Sequence, residues 1–153
     1  VVKAIEVANF LLNLSKPNTK ESISNLKLQK LLYYVQGFHL AFYNDRLFED
    51  DIQAWSHGPV VPDVYREFKG NSYRDIQPSP LIKESDLDRR KEDLIREVWE
   101  VFKGFDGKEL EKMSHEETPW KNARGDLPEY ASSMETIPIE NIRDFFREEY
   151  VKN

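Results

Sequence analysis

Residues 24–44 constrain this chain more than any other stretch. They contain no proline and a single glycine, Gly37. Leu28, Leu31, Leu32, Val35, Phe38 and Phe42 recur at steps of three and four, the spacing of one helical face. Leu26, Tyr33, Tyr34, Leu40 and Tyr43 widen that stripe until little polar surface is left. A helix that is apolar nearly all round is a buried one, so the spacing predicts a central helix of about five to six turns covered on several sides. Asn25, Lys27, Gln29, Lys30 and Gln36 interrupt the stripe, most of them in the first two turns. That end is expected to reach solvent.

The other segments read as covers for this helix. Val2, Ile5, Ala8, Leu11 and Leu12 give residues 1–14 one apolar face, and Pro17 ends it. Ser22 or Ser24 suits the N-cap of the central helix, and Asn44-Asp45-Arg46 breaks it. Two short apolar runs, 47–48 and 52–55, flank the acidic 49–51 and predict a small hairpin at about 46–56. Gly58-Pro59 and Pro62 mark a turn, followed by a short helix over 63–69. Residues 71–85, with Pro78 and Pro80, read as a surface loop.

Leu87, Leu94, Ile95, Val98, Trp99 and Phe102 line one side of an amphipathic helix over 86–103. Asp106 and Glu109 have capping-box spacing and open a short helix to about Met113. Thr118 suits an N-cap and Pro119 the first position of another, closed by Gly125. Residues 126–136 read as loop, and 138–150 as a final helix faced by Ile139, Ile142, Phe145, Phe146 and Tyr150. The fold class is therefore mainly α: one domain over 1–153, a compact set of helices around a buried central helix, with one small β-hairpin.

Composition limits the function classes. The 153 residues include no cysteine, which removes disulfides, thiol catalysis and cysteine-ligated metal and fits a reducing cytoplasm. No apolar run approaches the roughly 20 residues that cross a bilayer, and the first residues do not read as a signal peptide. The net charge of −6 argues against a general attraction to nucleic acid. The basic run Arg89-Arg90-Lys91 is flanked by Asp86, Asp88, Glu92 and Asp93, which cancel its field.

Three motifs are more specific than composition. They are Leu26-Lys27-Leu28-Gln29-Lys30-Leu31-Leu32-Tyr33-Tyr34, then Ala54-Trp55-Ser56-His57-Gly58-Pro59-Val60-Val61-Pro62-Asp63-Val64-Tyr65, then Ser114-His115-Glu116-Glu117-Thr118-Pro119-Trp120-Lys121-Asn122-Ala123-Arg124. In that order and spacing they resemble the Panacea domain, the SocA-like antitoxin or phage-associated family, from about residue 2 to 125. The resemblance implies an antitoxin from bacteria or their phages. Such a protein neutralises a toxin encoded beside it by direct binding, or delivers that toxin to an AAA+ protease. It implies no catalytic residues and no cofactor.

The motif side chains admit two readings. In one, Trp55 plugs the core, Gly58-Pro59 turns the chain, and His115 and Trp120 buttress the junction of two short helices. In the other, Trp55, His57, Val60, Val61, Tyr65, His115, Trp120 and Arg124 offer a toxin an aromatic and aliphatic contact surface, with the 71–85 loop beside it. Trp120 and Arg124 are four apart, so a helix stacks them. Lys27 and Lys30 read as solvated. An alternative is a hydrolase or metal-dependent enzyme built on His57 and His115, but the chain has no H-x-x-x-H, no H-E-x-x-H, no G-x-S-x-G and no phosphate-binding glycine loop. A DNA-binding phage regulator is a third reading.

Overall fold

A computed structural model describes residues 1–79 and 86–151. The element order is α1 (Ala4–Leu14), α2 (Asn25–Tyr43), β1 (Gln53–Trp55), β2 (Gly58–Val60), α3 (Pro62–Phe68), a 3₁₀ turn (Lys69–Asn71), α4 (Arg89–Phe102), α5 (Gly107–His115), α6 (Thr118–Arg124) and α7 (Ile139–Glu149). The fold is mainly helical with one two-stranded antiparallel sheet.

α2 is the axis. Helices α1, α3, α4, α5 and α7 and strand β2 all pack on it, α5 and α7 most extensively. Leu28, Leu31, Leu32, Tyr33, Tyr34 and Val35 are fully enclosed. Ser24 caps α2 by accepting from the Lys27 amide at 3.2 Å, and Asn44 ends it in the left-handed conformation. Asp88 caps α4 by accepting from the Lys91 amide at 2.9 Å. Asp106 and Glu109 form the full capping box of α5. The side-chain oxygen of each cap satisfies an amide that the first helical turn leaves without a partner.

Three local expectations are corrected. The hairpin is not at 46–56: its strands are β1 and β2, paired Gln53↔Val60, Ala54↔Pro59 and Trp55↔Gly58, and the turn is Ser56-His57. Residues 47 and 48 bond instead to one side chain, because the Gln36 amide accepts from the Leu47 N–H at 2.6 Å and donates to the Phe48 carbonyl at 2.9 Å. Gly58 sits at φ +104°, where a side chain would meet Lys30 and Ser114. The N-cap of α6 is Glu117, not Thr118, and its carboxylate turns into the core.

The polar end of α2 does not reach solvent: Asn25, Lys27, Gln29, Lys30 and Gln36 are all buried, and the exposed end carries Phe42 and Tyr43.

On the far edge of β1, Ala54 donates to the Glu135 carbonyl and Ile137 to the Ile52 carbonyl, both at 2.8 Å. The segment around Thr136 thus pairs beside β1 before α7 begins. Of the expected 71–85 loop, residues 71–79 are described. Ile76 is buried there and donates to the Ile23 carbonyl at 2.8 Å, and residues 80–85 lie outside the described chain.

Candidate functional site

The polar residues of the first motif form a set of hooks. On a helix turning 100° per residue, Asn25, Gln29 and Gln36 fall within about 40° of one another. Asn25 donates to the Tyr65 carbonyl at 3.1 Å. Gln29 donates to Asn25 at 2.9 Å and accepts from the Val61 amide at 2.9 Å. With Gln36 on residues 47–48, this one face satisfies the irregular backbone that crosses it. Buried main-chain groups need such partners, since each one left unpaired costs about 1–3 kcal/mol.

The two lysines perform the same task with charge. Lys30 is wholly enclosed, and its amine donates to the Pro59 carbonyl at 2.7 Å. Burial pulls its pKa down to about 7, although Glu111 favours the charged form. The Lys27 amine donates to the Lys103 carbonyl at 2.6 Å and the Lys20 carbonyl at 3.2 Å, and lies 5.4 Å from the Trp99 ring centre. It caps the carbonyl end of α4, where the helix dipole favours a cation. Burial lowers its pKa, partly offset by Asp106 and Glu21.

Glu117, from the third motif, meets the first motif in the core. Tyr33 donates to it at 2.9 Å and Tyr34 at 3.2 Å, and Tyr150 of the last helix bonds it as well. Burial raises the Glu117 pKa above its ordinary value despite these three hydroxyls. The same burial, with Glu117 nearby, raises the pKa of all three tyrosines.

The predicted site residues divide by exposure. Val60, Val61, Trp120 and Arg124 are buried, Val61 to 1% exposure, and have almost no area to offer a partner. Arg124 stacks on Trp120, 4.8 Å from its ring centre, as the spacing predicts. Its guanidinium donates to four backbone carbonyls: Ala54 at 3.0 Å, Pro128 at 2.8 Å, Glu129 at 3.2 Å and Ala131 at 2.5 Å. Trp120 donates to the Trp55 carbonyl at 2.8 Å. Trp55 and Tyr65, both half-buried, meet edge to face at 5.1 Å, and His57 is exposed.

His115 stacks on Trp120 at 4.1 Å, with its buried Nε2 unpartnered. Burial lowers its pKa. His57 contacts Glu111 at 3.2 Å. Among the described residues no three His, Asp or Glu side chains are arranged to hold a metal ion. His39 is enclosed, with its Nδ1 2.7 Å from the Asp45 carbonyl and its Nε2 unpartnered. In the basic run, Lys91 pairs with Asp88 at 3.0 Å and Arg89 with Asp93 at 4.0 Å, while Arg90 stacks 4.0 Å over Tyr43.

Sequence reasoning missed Lys27, Lys30, Glu117, Tyr33 and Tyr34 as a polar core. A signal for part of it existed: amides at spacings of four and seven along a helix otherwise apolar all round. Nothing local marked Glu117 as buried.

These features define a class of protein: a helical domain whose motif residues bind its own loops into place around one central helix. The chain belongs to the antitoxin SocA-like, Panacea domain family, whose pattern matches residues 28–121. It is also similar to the "Antitoxin SocA" of Caulobacter vibrioides (strain NA1000 / CB15N), 44% identical over 70 residues. That stretch is 46% of this chain and spans 37% of the Caulobacter protein. No solved structure matches the chain. Among the described residues no helix is long and apolar enough to cross a membrane.

Proposed function

We propose that this chain is the antitoxin of a toxin–antitoxin pair and neutralises its cognate toxin by direct protein–protein binding, without doing chemistry itself. The observation that carries this reading is the family match over residues 28–121, which takes in most of the central helix, the hairpin and the Glu117 junction. The bonding of the motifs supports it. Their amides, amines and Arg124 hold internal backbone, so they keep a surface in shape rather than presenting reactive groups. Recognition then falls to exposed side chains. Of the expected contact set, His57 is exposed and Trp55, Tyr65 and His115 are half-buried, so these are the members with area to give.

The test is co-expression with the protein encoded beside it. Induction of the neighbour alone is expected to stop growth, and this chain is expected to restore it and to co-purify with the toxin. Growth arrest that persists with the antitoxin abundant and folded overturns the reading. Loss of rescue in a strain lacking the AAA+ protease selects delivery for degradation. Rescue that survives there selects occlusion.

A further inference from the structure

α2 runs out of cover at its C-terminal end. Phe42, in its last turn, is 55% exposed, and Phe38 one turn earlier is half-buried. Their rings continue onto α7 without a gap. Phe38 lies 6.4 Å from Phe42 and 5.4 Å from Tyr150, and Tyr150 lies 6.0 Å from Phe145. A contiguous ring surface of this kind, rimmed by charge, is the composition of an interface centre.

The two ends of this face differ in charge: Arg147 donates to the Ala41 carbonyl beside Phe42 at 3.1 Å, and the pocket at the α7 end is acidic. Phe145 and Tyr150 help to wall a pocket of about 450 Å³ whose ionisable side chains, Glu116, Glu117, Glu149 and Tyr150, include no base. Glu117 is held by tyrosines. Glu116 and Glu149 are exposed and have no ion-pair partner among the described residues. Some other surface carboxylates, such as Asp63, Asp88 and Asp93, do have a cation within 4.0 Å. A guanidinium or ammonium entering the pocket meets the Glu116 and Glu149 carboxylates beside two aromatic rings, and both kinds of group attract a cation.

We propose that the face formed by Phe38, Phe42, Phe145 and Tyr150, with Glu116 and Glu149 at its edge, docks an apolar segment of the toxin carrying an arginine or lysine. This rests on the antitoxin reading above and assigns the contact to the exposed ends of α2 and α7 rather than to the Trp55–Tyr65 pair. The apolar part of the segment covers Phe42 and Phe38, and its cation fills the pocket.

The test uses the full chain and the toxin encoded beside it. Phe42→Ala and Glu149→Lys lie on the surface and are expected to melt like wild type. Each is expected to weaken toxin binding, read by calorimetric titration, at least about tenfold. A basic-to-acidic reversal on the toxin is expected to restore binding to Glu149→Lys. The proposal is overturned if the folded Phe42→Ala, Glu149→Lys double variant binds within about twofold of wild type. It is also overturned if only a Trp55→Ala, Tyr65→Ala variant loses binding. A wild-type dimer that Phe42→Ala dissociates, with toxin affinity unchanged, overturns it as well and gives the face to a second copy. Failure of the antitoxin reading looks different: the wild-type chain itself neither binds nor rescues.

Discussion

Lys30 shows how a single residue can read one way in sequence and act another way in the fold. In sequence it is one of two lysines three apart on a helix, a pattern that usually means a solvated turn. In the fold its amine is sealed under Gly58-Pro59 and donates to the Pro59 carbonyl at 2.7 Å. Its pKa of about 7 lies below the ordinary 10.5, so between these values the unfolded chain binds a proton that the native state does not. Stability therefore rises with pH across that window and falls as pH drops toward 7. The denaturant midpoint of the wild type is expected to climb between about pH 7 and pH 10, and in Lys30→Met that slope is expected to shrink to the part Lys27 contributes, whose pKa burial also lowers. An unchanged slope in the variant would mean that Lys30 is hydrated. Above pH 10 the trend reverses, since Tyr33 and Tyr34 hold their protons more tightly when folded.

At the scale of elements, side chains carry the joints. Gly37 lets α7 come close to α2, because a Cβ there would run into the Phe146 ring. Gly37→Ala is expected to cost about 1–3 kcal/mol by overpacking, despite alanine's better helix propensity. Adding Phe146→Leu is expected to recover part of that loss, measured by urea unfolding. Arg124 is the joint between α6, β1 and the segment after it. Lysine offers a single point charge and cannot span four carbonyls, so Arg124→Lys is expected to cost about 1–3 kcal/mol. Limited proteolysis is expected to cut the variant faster within 125–136, and equal cutting would show that the segment holds without the guanidinium. The starts of α2 and α5 were legible because their signals are local: Ser24 and Asp106 cap within three residues of themselves. The start of α4 was placed at 86, three residues early, because Asp86 and Asp88 both offer a cap and the fold uses Asp88. The hairpin was not legible. Residues 47–48 look like a strand by composition, but their backbone partner is the Gln36 side chain, eleven and twelve residues away.

At the scale of the whole molecule, one helix is enclosed by most of the others. Phe146 of α7 is fully buried among Tyr33, Tyr34 and Phe38, at 5.4, 5.8 and 5.2 Å. Losing a ring of this kind costs about 3–5 kcal/mol, against about 5–15 kcal/mol for a typical domain. A chain ended after Ile137, which loses Phe146, Ile142 and the Tyr150 bond to Glu117, is expected to show no cooperative thermal transition. A sharp transition in the truncated chain would show that α2 needs less cover than its composition implies. The sequence by itself determined that α2 exists, where it begins and ends, and that it lies inside. Hydrophobic periodicity and caps act over a few residues and need no knowledge of what lies opposite. Only the tertiary structure decided the fate of the polar residues on that helix. Whether an amide or amine at the surface of an apolar rod meets water or a backbone carbonyl depends on chain that arrives from up to some eighty residues away, as Lys27 meets Lys103 and Tyr33 meets Glu117.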